Sequence, residues 1–185
     1  MIIMGLGNPG GQYERTRHNT GAMALDYFAK EYKFPGFKAS SKYESSISEG
    51  EIQGTKVVLA KPETFMNNSG KAANALCRYF KGDLVVLHDE IDLPLGQVRV
   101  SQGRGSAGHK GVESIMQELG TKDFTRIRIG IQPADGKPKN TEEFVLKNFS
   151  SAEIPLLETS LQTATEALLN LIEEEKKKPS VNLGL

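Results

Sequence analysis

Apolar residues recur along the chain at two periods, the two-residue period of strands and the three-to-four-residue period of helices. Short apolar or alternating runs predict strands at residues 1–6, 43–51, 56–60, 84–87, 97–101 and 124–131. Helical spacing predicts helices that begin near Gly21, near Gly70 and at His109 or Lys110, and a long C-terminal helix over 151–178. Because strands and helices interleave, we predict one α/β domain over residues 1–185, with a twisted, mixed and mostly parallel sheet flanked by helices.

Segments rich in glycine and polar residues follow several of the predicted strands. Gly-Leu-Gly-Asn-Pro-Gly at 5–10 leads towards His18, and Asn19 or Thr20 is the natural N-cap of the first helix. His18 is therefore expected at the mouth of that helix, beside backbone N–H groups that lack helical partners. Further along, His-Asp-Glu-Ile-Asp occupies 88–92, directly after another strand. Since α/β proteins usually carry their sites at the carboxyl ends of strands, these segments are candidates for one site.

The charge balance restricts how the chain can bind nucleic acid. Lys and Arg together number 23, as do Asp and Glu, so no overall field attracts polyanions and any such binding needs a local patch. One candidate patch, within residues 97–128, holds the cations Arg99, Arg104, Lys110, Lys122, Arg126 and Arg128. Residues 151–175 hold acids but no Lys or Arg, so the charge is segregated along the chain.

Cysteine usage and hydropathy indicate a compartment. Cys77 is the only cysteine, which excludes a disulfide framework and fits a reducing environment. The chain opens without a signal-peptide pattern, and no run approaches the roughly 20 apolar residues of a membrane span. We therefore expect a cytoplasmic protein without membrane contact. Cys77 lies on the apolar face of a predicted helix and is expected to be a small core residue.

Two glycine-rich segments invite a nucleotide-binding interpretation. Residues 5–10 match G-x-G-x-x-G, but helical spacing starts only at Ala22, and the acids about 20 residues on, Asp26 and Glu31, lie inside a helical pattern. A nicotinamide or flavin site is therefore disfavoured. The loop over 103–108 lacks the Gly-Lys-Ser/Thr ending of a phosphate loop. Its free N–H groups can still attract phosphate, and a flexible surface loop is an equally good interpretation.

The remaining candidate chemistry is acid–base catalysis with water as the nucleophile. The chain has no Gly-x-Ser-x-Gly elbow, and its three histidines stand on separate elements without metal-ligand spacing, so no metal site is predicted. His18 is the best candidate base because an unperturbed imidazole accepts a proton near neutrality. Asp89 or Asp92 could fix its tautomer. A histidine at a helix start is often only a cap, but the neighbouring Asn8 and glycine turn make a functional role an equally good interpretation.

Several longer motifs occur in a fixed order along the chain. They are Gly-Leu-Gly-Asn-Pro-Gly (5–10), Tyr13 with Thr-Arg-His-Asn-Thr-Gly (16–21), Lys-Pro (61–62) with Thr-Phe-Met-Asn (64–67), Ser-Gly (69–70), His-Asp-Glu-Ile-Asp-Leu-Pro (88–94), Ser-Ala-Gly-His-Lys-Gly (106–111) and Arg-Ile-Arg-Ile-Gly (126–130). In these motifs the chain closely resembles bacterial peptidyl-tRNA hydrolase, from residue 1 to about residue 149.

The resemblance implies an activity and a set of site residues. The family hydrolyses the ester that joins a peptide to the 3′ ribose of tRNA, without metal or cofactor. By motif position, His18 would be the base that activates water, Asp89 would hold its tautomer, and Asn8 would help to distinguish blocked from free aminoacyl groups. The other positions that match family contacts to substrate or tRNA phosphate are Tyr13, Phe65, Asn67, Arg99 and Arg128. The implied partner is the acceptor end and 3′ CCA of peptidyl-tRNA, bound by a monomer.

Two residues depart from the family pattern. Lys110 stands where most members have an asparagine credited with substrate contact, and an ammonium cannot accept a hydrogen bond. We hypothesise that Lys110 attracts phosphate instead. Ser101 replaces a second family cation, two residues after Arg99, which weakens the expected phosphate clamp. A non-catalytic RNA-binding protein, similar to plant splicing factors that resemble this family, is the rival hypothesis, and the retained His18 and Asp89 argue against it.

Overall fold

A computed structural model describes residues 1–177 and contains one seven-stranded sheet in the order β2-β3-β4-β1-β5-β7-β6. The strands are β1 (Ile2–Gly5), β2 (Lys38–Ser40), β3 (Ser45–Ile52), β4 (Thr55–Pro62), β5 (Leu84–Pro94), β6 (Val98–Gln102) and β7 (Thr125–Gln132). The helices are α1 (Thr20–Glu31), α2 (Ser69–Tyr79), α3 (Lys110–Leu119), α4 (Thr141–Val145) and α5 (Ile154–Lys177). Short 3-10 helices lie at Arg17–Asn19, Ser41–Tyr43 and Met66–Asn68.

The centre of the sheet is parallel and its edges are antiparallel. β1 pairs in parallel with β4 and β5, and β5 pairs in parallel with β7, whereas β2, β3 and β6 join their neighbours in antiparallel fashion. The carboxyl ends of the four central strands therefore lie at one edge of the sheet. The prediction of a mixed α/β sheet flanked by helices, with a long C-terminal helix, is confirmed.

Apolar side chains cover both faces of the sheet, as expected for central strands that are buried on both sides. On one face Ile3 and Leu87 pack with α1 and α5, and on the other Met4 and Val86 pack with α2 and α3. Removing a fully buried side chain of this size from water contributes roughly 1.5–3 kcal/mol each. Cys77 is only partly buried and packs at the margin of the second core, so the prediction that it is a core residue is only partly right.

Gly21 sets how closely α1 approaches the sheet. A Cβ at this position would collide with the carbonyl oxygen of Leu87 and would lie 2.8 Å from the backbone nitrogen of Leu6. The Ala22 N–H instead donates to the Leu6 carbonyl at 2.9 Å, and the Leu6 N–H donates to the Leu87 carbonyl at 3.0 Å. The start of α1, and the 3-10 turn that precedes it, are thereby fixed against the end of β1 and against Leu87 within β5.

The structure differs from the predicted elements at β2, β5, α4 and α5. β5 continues well past residue 87, to Pro94, because β7 pairs with it as far as Gly130 and again at Gln132. The short and exposed elements β2 and α4 carry too few apolar residues to be predicted. α5 begins at Ile154 and not at residue 151, because Glu153 and Ser150 form a turn before it, and the predicted end at Lys178 lies outside the described residues. None of the helices in residues 1–177 combines the length and apolarity that crossing a bilayer requires.

Candidate active site

A cavity of about 520 Å³ lies at the carboxyl ends of β1 and β5, beneath α4 and the start of α3. Polar and charged residues that line it are Asn8, His18, Asn67, Asp89, Glu90, His109, Lys110, Lys137, Thr141 and Glu142. Its apolar lining includes Phe65, Met66, Ile91, Val145 and Leu146. The segments that the sequence singled out on separate elements therefore meet in one place.

His18 and Asp89 form a buried pair on one side of this cavity. His18 Nδ1 lies 2.9 Å from Asp89 Oδ1 and 3.1 Å from Oδ2, and the Asp89 side chain is 3% exposed. Because a carboxylate can only accept, Nδ1 carries the proton, and Nε2 is the unprotonated nitrogen of the neutral ring. No residue within 1–177 forms a hydrogen bond with Nε2, so that nitrogen can take a proton from a molecule in the cavity.

The electrostatics of the pair suit a base that works near neutrality. Burial alone would lower the pKa of His18, but the charge and hydrogen bond of Asp89 outweigh burial and hold the pKa above its ordinary value of 6.5. The ammonium of Lys110 opposes this rise. Burial would raise the pKa of Asp89, yet the charges and hydrogen bonds of His18 and His109 hold it far below its usual range. Asp89 is therefore ionised at neutral pH and can stabilise a protonated His18.

His109 reaches the same carboxylate from the start of α3. Its Nε2 lies 2.8 Å from Asp89 Oδ1, while its Nδ1 accepts hydrogen bonds from the N–H groups of Gly111 and Val112, each at 3.2 Å. His109 is thus the N-cap of α3. The ring of His88 packs edge-on against it at 4.7 Å, and burial, together with His109, holds the pKa of His88 well below its ordinary value. No role was predicted for His109, because no local sequence pattern indicates this contact with a residue 20 positions away.

The same three residues have the spacing of a metal site. Ligand atoms of His18, Asp89 and His109 lie within 4.8 Å of one another. However, Nδ1 of His18 and Nε2 of His109 both carry protons that they donate to Asp89, and metal ligation requires deprotonated donors. A cation would have to displace both protons and both hydrogen bonds. The arrangement favours hydrogen bonds among these three side chains over metal binding. That the protein has no metal site stays a prediction.

Asn8 is fixed on its backbone and on its side chain. Asn19 Oδ1 accepts from the Asn8 N–H at 2.9 Å, and Asn19 Nδ2 donates to the Asn8 carbonyl at 3.0 Å. Asn19 occupies the N-cap position of α1, as predicted. Its side chain, however, forms hydrogen bonds with Asn8 and none with the N–H groups of the helix, so the predicted side-chain cap is absent. Asn8 Oδ1 accepts from the Met66 N–H at 2.8 Å. Because this backbone donor fixes the amide orientation, Nδ2 remains available as a donor in the cavity.

The glycines before Asn19 serve this local packing and not a nucleotide. A Cβ on Gly7 would lie 2.8 Å from Asn19 Nδ2, so glycine is required for the two asparagines to meet. No helix begins at Gly10, and α1 starts ten residues later at Thr20. The helix of a dinucleotide fold is therefore missing, as predicted.

The cavity lining includes exposed apolar side chains as well as polar ones. Phe65 is 57% exposed and Leu146 is 49% exposed, and both line the cavity together with the exposed Asn67. Tyr13 lies in the turn after Gly10, where its N–H donates to the Gly10 carbonyl, and it is not among the lining residues. The rim thus offers an apolar surface beside amide groups.

Two exposed ion pairs link α4 and the loop before it to the opposite rim. Lys110 Nζ lies 2.7 Å from Glu142 Oε1, and Lys137 Nζ lies 2.7 Å from Asp92 Oδ1. Asp92, the alternative partner for His18, therefore faces Lys137, and Asp89 alone fills that position. Exposed pairs of this kind contribute little to stability and weaken with salt.

Arg17 anchors the chain that carries α4 beside the candidate base. Its guanidinium donates to both carboxylate oxygens of Glu153, at 2.9 and 2.8 Å, and to the carbonyls of Lys147 and Asn148. The Phe144 ring lies 4.2 Å beneath it. Arg17 is 6% exposed, so this cation is one of the few buried charges, and its partners all belong to the segment before α5.

The family model for peptidyl-tRNA hydrolase matches residues 2–183. Relatives named peptidyl-tRNA hydrolase include one from Mycobacterium sp. strain KMS, 40% identical over 99% of this chain and 95% of its own. Another, from Geotalea daltonii, is 44% identical over 93% of this chain and 87% of its own. The chain belongs to the peptidyl-tRNA hydrolase family. The crystal structure of peptidyl-tRNA hydrolase from Acinetobacter baumannii covers 95% of this chain and 89% of its own, with 31% identity and a TM-score of 0.86.

The positions that match peptidyl-tRNA hydrolase motifs divide into two groups in this structure. Those that line the cavity are Asn8, His18, Phe65, Asn67, Asp89 and Lys110. Those that lie outside it are Tyr13, Arg99 and Arg128. Arg99 is exposed on β6 and stands opposite Arg128 on β7, so the two cations are cross-strand neighbours at the sheet edge.

Fewer cations are exposed in the candidate basic patch than the six that the sequence contains there. Arg128 donates from Nε to the buried carboxylate of Glu90 at 3.0 Å, which neutralises part of its charge. Arg126 is 2% exposed and donates to the backbone carbonyls of Arg104 and Gly105, so it braces the 103–108 loop from within. The exposed cations that remain in residues 97–128 are Arg99, Arg104, Lys110 and Lys122.

Proposed function

We propose that this protein hydrolyses the ester between a peptide, or another N-blocked aminoacyl group, and the 3′ ribose of tRNA, and so releases tRNA for reuse. The observation that carries the proposal is His18, whose Nδ1 is held by Asp89 while Nε2 faces the cavity. Membership of the peptidyl-tRNA hydrolase family gives the substrate class.

The reaction needs one proton carrier. His18 Nε2 takes a proton from water as the water oxygen attacks the ester carbonyl carbon, and ionised Asp89 stabilises the imidazolium that forms. The carbonyl oxygen becomes an oxyanion, to which Asn8 Nδ2 can donate. When the intermediate collapses, the bond to the ribose 3′ oxygen breaks and His18 returns its proton to that oxygen. The products are tRNA with a free 3′ hydroxyl and a peptide carboxylic acid, which then releases its proton to water and becomes a carboxylate.

The remaining site residues would position the two halves of the substrate. Asn67 can donate to and accept from a peptide main chain, and Phe65 offers an exposed apolar surface for side chains or a base. Tyr13 would contact substrate only outside the cavity lining. Arg99, with Arg128 beside it, would contact tRNA phosphate at the sheet edge. Such contacts contribute affinity but no sequence specificity.

A non-catalytic RNA-binding protein on the same fold is the alternative. Binding RNA requires exposed cations and aromatic rings, and it has no use for the buried pair of His18 and Asp89, since burying charge costs stability. The pair therefore favours catalysis. We also propose that the protein acts as a cytoplasmic monomer without a cofactor.

Cleavage of N-acetyl-aminoacyl-tRNA by wild type and by His18→Ala tests the function. General-base catalysis is worth about 10²–10⁴ in rate, so His18→Ala should lose at least about a hundredfold in kcat while it retains tRNA binding. Wild-type protein that binds tRNA but leaves the ester intact would support the RNA-binding alternative. His18→Ala with full activity would remove His18 from the mechanism.

A further inference from the structure

We propose that His109 is a positioning residue that donates from Nε2 to Asp89 and thereby sets how strongly Asp89 supports His18 as the base. The inference rests on the proposed function and deepens it, since it concerns the group behind the base and not the base itself. It also assigns a task to a residue that lines the cavity and lies 4.9 Å from the His18 ring, between ring centroids, but forms no hydrogen bond with His18 in the described residues.

The backbone of α3 determines where the proton of His109 resides. The N–H groups of Gly111 and Val112 both point at Nδ1, at 3.2 Å, so in this arrangement Nδ1 is an acceptor. The ring proton must then sit on Nε2, which lies 2.8 Å from Asp89 Oδ1. A helix N-terminus thus fixes the tautomer of His109 as a donor to Asp89. The ring is held in place by His88, packed edge-on at 4.7 Å.

Asp89 is consequently shared between two donors. Oδ1 accepts from both His18 and His109, whereas Oδ2 meets only His18, at the longer distance of 3.1 Å. The bond from His109 stops the carboxylate from rotating about its Cβ–Cγ bond. It also lowers the basicity of Oδ1. His18 therefore donates to a weaker acceptor than an unshared carboxylate would be.

Several charged groups around His18 affect its pKa. Asp89 on β5 raises the pKa of His18, and Lys110 at the start of α3 lowers it, with Glu142 of α4 paired to that ammonium. Arg17 on the same 3-10 turn points away, to Glu153. If the donor of His109 is removed, Asp89 offers its full charge to His18 and stabilises the imidazolium further. The pKa of His18 should then rise.

Two substitutions separate this task from helix capping. His109→Asn keeps an excellent N-cap residue but is too short to donate to Asp89, whereas His109→Ala loses both functions. Titration of the His18 ring proton by NMR in the free protein should show a pKa at least about 0.5 unit higher in His109→Asn than in wild type. The acid limb of the pH profile of kcat/KM should move upwards by the same amount.

A double-mutant cycle with Asp89→Asn completes the test. If His109 acts through Asp89, His109→Asn should leave the pKa of His18 unchanged in the Asp89→Asn background. An unchanged or lowered pKa of His18 in His109→Asn alone would overturn the inference, as would the same shift with and without Asp89. Because the NMR titration requires no turnover, its result stands apart from the ester-cleavage test of the proposed function.

Discussion

Lys110 at the start of α3 is bound to Glu142 on α4, with Nζ and Oε1 2.7 Å apart. The hypothesis that Lys110 attracts phosphate must therefore include Glu142, which competes for the same ammonium. A phosphate that binds Lys110 has to displace this carboxylate, and the pair is exposed enough for that exchange.

Opposite changes of salt dependence are expected when the two partners of this pair are altered. Lys110→Asn should flatten the slope of log K for tRNA binding against log salt by up to about one, the value of one phosphate contact. Glu142→Gln should steepen that slope, because it frees the ammonium of Lys110. Equal slopes for wild type and Lys110→Asn, measured by filter binding over a salt series, would show that Lys110 does not contact phosphate.

Activity should depend on pH through His18. The neutral ring is the base and its folded pKa is raised above 6.5, so kcat/KM should increase with pH and reach half its maximum above that value. Lys110→Asn removes a cation that lowers this pKa, and its half-maximum should lie higher still. A pH profile of N-acetyl-aminoacyl-tRNA cleavage measures both. A half-maximum below 6.5 would contradict the pairing of His18 with ionised Asp89.

The same raised pKa predicts how stability varies with pH. A group whose pKa is higher in the folded state stabilises the fold fully below its unfolded pKa, and this contribution is lost as pH rises through the folded value. The difference in unfolding free energy between wild type and His18→Gln should therefore shrink as pH rises from 6 towards 8. Urea denaturation at several pH values gives this difference directly, and a growing difference would reverse the assignment.

The side-chain donor of Asn8 can be separated from its structural acceptor. Asn8→Asp keeps an oxygen for the Met66 N–H but loses Nδ2, whereas Asn8→Ala loses both. If Nδ2 stabilises the oxyanion, both variants should lose about 10²–10³ in kcat. Only Asn8→Ala should also lower the melting temperature, because it alone leaves the Met66 N–H unpaired. Near-wild-type kcat in Asn8→Asp, at a pH where His18 is neutral, would exclude the donor role.

Substitution of Gly21 tests the packing of α1 against the sheet, and substitution of Gly11 is the control. A methyl group on Gly21 would strike the Leu87 carbonyl, whereas a methyl group on Gly11 would meet nothing within 4 Å. Gly21→Ala should cost about 1–3 kcal/mol or more in unfolding free energy, since overpacking forces the backbone to move. It should also reduce kcat, because the turn that carries His18 shifts away from Asp89. Gly11→Ala should change neither quantity, and equal effects of the two substitutions would refute this reason.

The sequence predicts two kinds of feature: elements with a clear apolar period, and residues that meet because they follow parallel strands of one sheet. The strands and main helices follow from apolar spacing, and the meeting of His18 with an acid after residue 87 follows from the common carboxyl edge. The choice between Asp89 and Asp92 does not follow from these patterns and came only from the family resemblance, because the register of β5 against β7 shifts between Glu90 and Pro94. Asp92 lies within that shift and turns to Lys137.

Long-range contacts account for what the sequence left undetermined. His109 meets Asp89 across 20 positions, and Arg128 is paired with Glu90 across 38, with no local pattern that indicates either contact. Arg126 carries a charge but is buried as a brace for the 103–108 loop, so counting cations overstated the exposed patch. Composition gives the residues available for such contacts, and only the fold determines which are used.

The pairing of Arg17 with Glu153 has a consequence for the order in which the molecule assembles. It joins positions 136 residues apart, next to the residue proposed as the base. Closing so long a loop costs entropy that only docked native contacts recover, which places this contact late in folding. A chain emerging from the ribosome would thus carry His18 early but could complete the contacts of Arg17 only after Glu153, just before α5, has been made. Pulsed hydrogen exchange should show late protection of the Arg17 N–H, which donates to Lys147, and early protection would contradict this order.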